Sequence, residues 1–253
     1  MLALLSPPGG HSPNADDINT LYLVMLVVGI VLLLGINGAL FALVMRFRSA
    51  RGRQPRRLVL RRPAQLGTAG VFAVLGLFAF VIGVIETHDA KKVEASGPDG
   101  LQAASLTTAQ RGLSIPIGTQ TAPLEIQACG QQWIWRYQYP DGTYSYYELV
   151  VPVDTAVVIK LCSTDVVHRW WVPGLSGKFD ATPGESNQTW FKADRTGIFD
   201  GASYAFSGAS YAAMRTRVRV VDVPTYQAWL EQQAAGIQEA QTFVQQVNQE
   251  TGG

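Results

Sequence analysis

The sequence predicts a two-helix transmembrane hairpin, then an all-β sandwich or barrel, then a C-terminal helix. Three observations carry this. Residues 19–45 and 66–85 are uncharged apolar runs, and about 20 such residues cross a bilayer core. Residues 124–221 break into short aromatic and β-branched stretches at close intervals, with Gly and Pro turns between them; this is the signature of a two-layer or closed β-domain. Residues 223–249 return to Gln, Glu and Ala, with Tyr226, Trp229, Leu230, Ile237, Phe243, Val244 and Val247 at helical spacing.

In chain order, residues 1–18 are rich in Pro, Gly, Ser and Asp and read as an extracytoplasmic tail. The opening MLALL is too short, and too poor in basic residues, for a signal peptide. The hairpin is expected over 19–88. Its second run carries Gly67, Gly70, Gly76 and Gly83, either as a close-packing face for a large partner or as filler on a lipid-facing helix. Between the runs stand Arg46, Arg48, Arg51, Arg53, Arg56, Arg57, Arg61 and Arg62 without one acid. The positive-inside rule puts this loop in the cytoplasm, and both termini with the β-domain outside it. Residues 89–122 read as a linker ending in an irregular first strand. Within 123–222, LEIQACGQQWIWRYQYP alternates and ends at the turn Pro140-Asp141-Gly142. TYSYYELVVPVDTAVVIKLCS gives two more strands broken at Pro152–Asp154, and further strands fit 169–172, 187–193, 197–204 and 214–221. Residues 223–253 form the C-terminal helical extension, with Gly236 as a candidate break into two helices.

The 253 residues are 47% hydrophobic and 15% charged with net charge +1, which gives no basis for a nucleic-acid partner. The cysteines, Cys129 and Cys162, form no CxxC or CxxCH, which excludes covalent c-type haem. In an oxidising compartment they are either buried thiols or a disulfide between two strands. Of His11, His88 and His168, only His168 lies in the β-rich part. A blue-copper site needs two His and one Cys, and this inventory excludes it.

Residues 200–214, DGASYAFSGASYAAM, have the spacing of a metal loop without its ligands. Ser203 and Ser207 stand four apart, Tyr211 four further on, Met214 three beyond. With cysteine at the two serines and histidine at the tyrosine, the pattern is C-x3-C-x3-H-x2-M, the ligand loop of the dinuclear copper (CuA) centre. Other motifs follow in order: QWIWRY at 132–137, DVVHRWWVP at 165–173, KFDATPGESN at 178–187 and GIFDG at 197–201. Together, over about residues 19–235, they resemble subunit II of haem-copper terminal oxidases, the cytochrome c and quinol oxidase subunit 2 family. The resemblance implies a cupredoxin-like Greek-key barrel on a two-helix anchor in the bacterial cytoplasmic membrane. It also implies an oxidase subunit I carrying haem and copper, a subunit III, and contact with membrane lipid.

The departures shape the functional expectation. Where the family has Cys, Cys and His, this chain has Ser203, Ser207 and Tyr211. Ala205 replaces the glutamate that serves copper through its backbone and a second metal through its carboxylate. Only His168 and Met214 remain of the ligand side chains. Hydroxyls and a phenol suit copper poorly, so no metal, cofactor or catalytic residue is expected in this chain. His168 is then either a structural residue bonded within the barrel loops or a leftover ligand with proton activity. Trp133 matches the family's electron-entry tryptophan; Trp133, Trp135 and Tyr137 are expected to serve as core and interface packing. Gln65 stands where many members carry a titratable glutamate. A family branch without CuA, the quinol oxidases, has a similar serine-rich loop with a retained methionine. The expected function is therefore a copper-free, structural subunit II of a quinol-oxidising complex that reduces oxygen and translocates protons. The alternatives are a cytochrome c oxidase subunit that bypasses CuA, and a membrane-tethered assembly or binding module outside any oxidase.

Overall fold

The structure is a computed structural model and describes residues 9–47, 62–101 and 122–251. The arginines from Arg48 to Arg61, the first eight residues and most of the linker (102–121) lie outside the described residues. Two compact units are present: one is Asp17–Asp89, and the other joins residues 9–16 to the chain after residue 89.

In the first unit, helix α1 (Pro13–Phe47) and helix α2 (Arg62–Ala90) hold the apolar runs. Both are long and apolar enough to cross a membrane. Leu34, Phe41, Val74 and Phe80 are among many large side chains left open. Polar side chains on these helices bond to their own helix: Asn37 Nδ2 donates to the Leu33 carbonyl at 2.7 Å and Thr87 Oγ1 to that of Gly83 at 2.6 Å. A Cβ at Gly67, Gly70, Gly76 or Gly83 would meet nothing of this chain within 4 Å.

The tail expected over 1–18 is helical from Pro13, a correction with a local cause. Ser12, Asn14 and Ala15 are buried: Asn14 Nδ2 donates to the Trp190 carbonyl, and the Lys192 amide donates to Ser12 Oγ at 3.1 Å. These contacts pin the first helical turn to the β-domain, so the helix starts before the apolar run does.

The second unit is two five-stranded sheets. Strands β1 (Leu124–Gln131), β2 (Ile134–Gln138), β3 (Tyr144–Tyr146), β5 (Ala156–Ser163) and β8 (Asn187–Lys192) form one, in the order β3-β2-β1-β5-β8. Strands β4 (Glu148–Pro152), β6 (His168–Trp171), β7 (Phe179–Ala181), β9 (Gly197–Ser203) and β10 (Arg215–Val221) form the other, in the order β4-β10-β9-β6-β7. β1 with β5 and β4 with β10 pair in parallel, the rest antiparallel. One core joins the sheets, with Ile126, Trp135, Tyr137, Ile159 and Leu161 facing Leu149, Trp170, Met214 and Val218. A buried polar bridge spans it. Trp170 Nε1 donates to Tyr137 Oη at 2.9 Å, and that hydroxyl also bonds Thr216 Oγ1. Burial pushes the Tyr137 phenol up to about 12 against the pull of these two bonds.

The chain changes sheets at Tyr147, held at φ 67°. Its amide donates to the Trp135 carbonyl of the first sheet at 2.9 Å, and its carbonyl accepts from Arg217 of the second at 3.1 Å. These opposed bonds split the stretch read as one strand into β3 and β4. The stretch LEIQACGQQWIWRYQYP likewise divides, at Gln132 and Trp133. No strand lies in the described part of the linker, and β7 was not expected. Helix α3 (Val223–Thr251) is continuous through Gly236, so the candidate break is corrected: glycine keeps its N–H and costs only about 1 kcal/mol against alanine in a helix interior. Asp222 caps α3 by accepting the Thr225 amide at 3.0 Å, and Tyr226 and Trp229 pack on Tyr139.

Cys129 and Cys162 are joined as a disulfide across the parallel β1/β5 pair, where they are direct register partners.

Candidate functional site

The motif residues meet at one end of the β-domain. β9 ends at Ser203, the chain loops through Tyr204–Ala213 with a short 3-10 turn at Tyr211–Ala213, and β10 resumes at Arg215. The loop's neck is closed by the backbone, with the Ser203 amide donating to the Met214 carbonyl at 2.9 Å. Ser203 and Met214 are therefore brought together, and both are buried. Ser203 Oγ accepts the Arg169 amide at 3.2 Å, and the Tyr204 amide donates to the Arg169 carbonyl at 3.0 Å. This ties the loop to the residue after His168.

His168 opens β6 and its ring is fully buried. Nε2 lies 2.9 Å from Asp165 Oδ1, while Nδ1 has no hydrogen-bond partner among the described residues. The ring sits edge-on to Trp135, with centroids 6.0 Å apart. On another side it touches Gly130, where an added Cβ would stand 2.7 Å from His168 Cδ2, so only glycine fits at that point of β1. Asp165, which sequence reasoning missed as a partner, is the local organiser. Its carboxylate also accepts the Gln132 amide at 2.7 Å and the Val166 amide at 2.6 Å. Burial pushes its pKa up, but the bonds from His168, Gln132 and Val166 outweigh that and hold it at about 2. The three-residue spacing in DVVH was the available signal.

Ser207 is held from the first sheet. Its carbonyl accepts Gln132 Nε2 at 2.7 Å and Trp133 Nε1 at 3.0 Å, while its buried Oγ has no partner among the described residues. Gly208, at φ +107°, lets the loop pass against these side chains; a Cβ there would lie 2.9 Å from Gln132 Nε2. Tyr211 does not join the buried group. It turns outward onto Phe206, with ring centroids 5.2 Å apart, and Phe206 is 79% exposed. Ala205 is partly exposed between exposed Tyr204 and Phe206.

The aromatic-interface candidates divide. Trp135 and Tyr137 are wholly inside the sandwich and present nothing to a partner. The correction follows from the alternation of β2, which turns Ile134, Arg136 and Gln138 outward and the residues between them inward. Trp133 precedes the strand and stays partly exposed, its indole clamped on Ser207.

The donors at this end are thus one imidazole, two hydroxyls, a thioether and, facing away, a phenol. Among the described residues no group of three or more His, Cys, Asp or Glu is placed to hold a metal.

A cupredoxin-like β-domain follows two helices long and apolar enough to cross a membrane. The family model for cytochrome c oxidase subunit II, periplasmic domain, matches residues 144–221, and over that stretch the chain is of the cytochrome c oxidase subunit II type. Cytochrome c oxidase subunit 2 of Cereibacter sphaeroides is 32% identical over 157 residues, covering 47% of this chain and 52% of that protein. The same subunit from Thermostichus vulcanus is 25% identical over 90% of this chain and 78% of its own length. Among solved structures, the periplasmic domain of subunit II of cytochrome oxidase from Bradyrhizobium japonicum is 32% identical, covering 47% of this chain and 99% of that one, with a TM-score of 0.45. The chain spans 52%, 34% and 55% of the first three curated relatives.

Proposed function

We propose that this chain is a copper-free subunit II of a haem-copper terminal oxidase that draws electrons from a membrane quinol. The observation that carries the reading is the donor set at the ligand loop. A thiolate-bridged copper pair needs soft sulfur and imidazole ligands. Here Ser203 spends its hydroxyl on a backbone amide, Ser207 offers a protonated hydroxyl, and Tyr211 faces away. These residues do not fit the group, and no electron step runs through them.

The role left is scaffolding in the bacterial cytoplasmic membrane. The two helices clamp subunit I, which carries the haem and copper, their small-residue stripe serving close approach and the rest facing subunit III or lipid. The β-domain caps the extracytoplasmic face, with both termini on that side. The second reading, cytochrome c as donor by a route that bypasses CuA, is favoured by one fact: the relatives carry the name cytochrome c oxidase subunit 2.

The test is purification of the native complex, copper and haem analysis, and turnover with a quinol and with cytochrome c. Quinol turnover without a mixed-valence dinuclear copper resonance is the expected result. Such a resonance, or turnover with cytochrome c alone, refutes the proposal.

A further inference from the structure

The Cys129–Cys162 disulfide stands outside the apolar core cluster, with Cys129 9% exposed and Cys162 partly exposed. On β2 the inward residues are Trp135 and Tyr137, so Arg136 points out. Cys129 pairs with Arg136 on one side and with Cys162 on the other, and Arg136 pairs with Tyr146 beyond. The outer row across four strands is therefore Tyr146, Arg136, Cys129, Cys162. Beside Cys129 is a hollow of about 110 Å³, lined by Cys129, Gly130, Gln131, Ile134, Arg136, Tyr146 and Thr164. Among the described residues no carboxylate forms an ion pair with Arg136.

The geometry points to this disulfide as a thiol-exchange site for an extracytoplasmic dithiol, with the Arg136 hollow as the entry for the attacking thiolate. Exchange proceeds by attack on one sulfur in line with the bond that breaks. The hollow is lined by Cys129 and not by Cys162, so Cys129 is the cysteine it opens onto. An incoming thiolate, drawn by the guanidinium, bonds to Cys129 Sγ. The Cys129–Cys162 bond breaks and Cys162 leaves with the electron pair as a thiolate, then takes a proton from water. The second thiol of the dithiol attacks its own sulfur in the mixed disulfide and releases Cys129. The protein disulfide is reduced and the dithiol is oxidised to its cyclic or intramolecular disulfide. The parallel β1/β5 ladder, which runs from Leu124 to Gly130, keeps the strands in register throughout.

The full chain in detergent is treated with dithiothreitol, quenched by alkylation and read by mass spectrometry, with tryptophan emission reporting the fold. Reduction is expected while the emission stays native. Arg136→Gln should slow it about fivefold, the size of one exposed charge contact. Arg136→Lys should restore most of the rate, and added salt should erase the difference. With excess glutathione and an acid quench, the trapped mixed disulfide should sit on Cys129. Reduction only at the rate of global unfolding, a rate indifferent to Arg136, or an adduct on Cys162 overturns the proposal.

Discussion

Removing the disulfide by Cys129→Ala with Cys162→Ala should lower the stability of the β-domain by about 4 kcal/mol. The magnitude follows from the structure. The bonded cysteines are 33 residues apart, and closing a loop of that size removes about 13 cal/mol/K from the unfolded chain, or about 4 kcal/mol at 25 °C. The native state adds little to either side, since β1 and β5 already pair over seven register positions. At roughly 2.1 cal/mol/K per residue, the about 130 residues after the linker unfold with about 270 cal/mol/K, so the melting temperature should fall by about 14 °C. The assay is a thermal melt of the full chain in detergent followed by tryptophan emission. Trp133, Trp135, Trp170, Trp171, Trp190 and Trp229 all lie after residue 122, so the signal reports this unit and not the apolar helices. Dithiothreitol should reproduce the loss in the unaltered chain and do nothing to the double variant. A fall of less than about 3 °C would refute the reasoning, because the bond would then not be restricting the unfolded chain.

Other expectations use different groups. Tyr137→Phe leaves the Trp170 indole N–H unpaired in the core while Thr216 keeps its bond to the Tyr147 carbonyl; a loss of about 1–3 kcal/mol in a denaturant titration is expected. Asp165 titrates near 2 when folded against 3.8 when free, so its contribution is complete above 3.8 and is lost as pH falls through 2. Asp165→Asn should therefore cost the same at pH 7 and pH 5, about 1 kcal/mol for this partly exposed group, with the difference from the parent vanishing towards pH 2 in acid-unfolding curves. Finally, Ser203→Cys, Ser207→Cys and Tyr211→His, with Ala205→Glu, rebuild the ligand loop around His168 and Met214. Purple colour and a mixed-valence copper resonance are expected from the rebuilt protein, and their absence would count against the residue-by-residue alignment of the loop.

Elements set by local pattern could be read from the chain, and elements set by pairing between distant segments could not. The apolar runs and most strands announce themselves through composition and alternation, which need only neighbouring residues. The corner at Tyr147 does not. Its conformation is imposed by Trp135 and Arg217, which bond it from opposite sheets. Alternation in QWIWRY puts three aromatics on one side but is silent on which side meets the core; the second sheet decides that, and it takes in Trp135 and Tyr137. For the cysteines the sequence left buried thiols and an inter-strand disulfide both open, since Cys129 and Cys162 become neighbours only once β1 and β5 lie parallel.

The candidate site shows the same division from the other direction. The loop's spacing was legible because its shape depends little on the side chains at the ligand positions. A backbone bond from Ser203 to Met214 closes the neck, Gln132 and Trp133 hold the carbonyl of Ser207, and Gly208 supplies the left-handed turn. Of the altered positions, Ser203 adds one bond of its own, from the Arg169 amide. A loop held in this way keeps its path largely independently of the side chains at Ser207 and Tyr211, which supply none of the bonds that set it. Loop spacing and side-chain chemistry are therefore separate observations, and the identity of the side chains, more than the likeness of the loop, bears on whether copper is held.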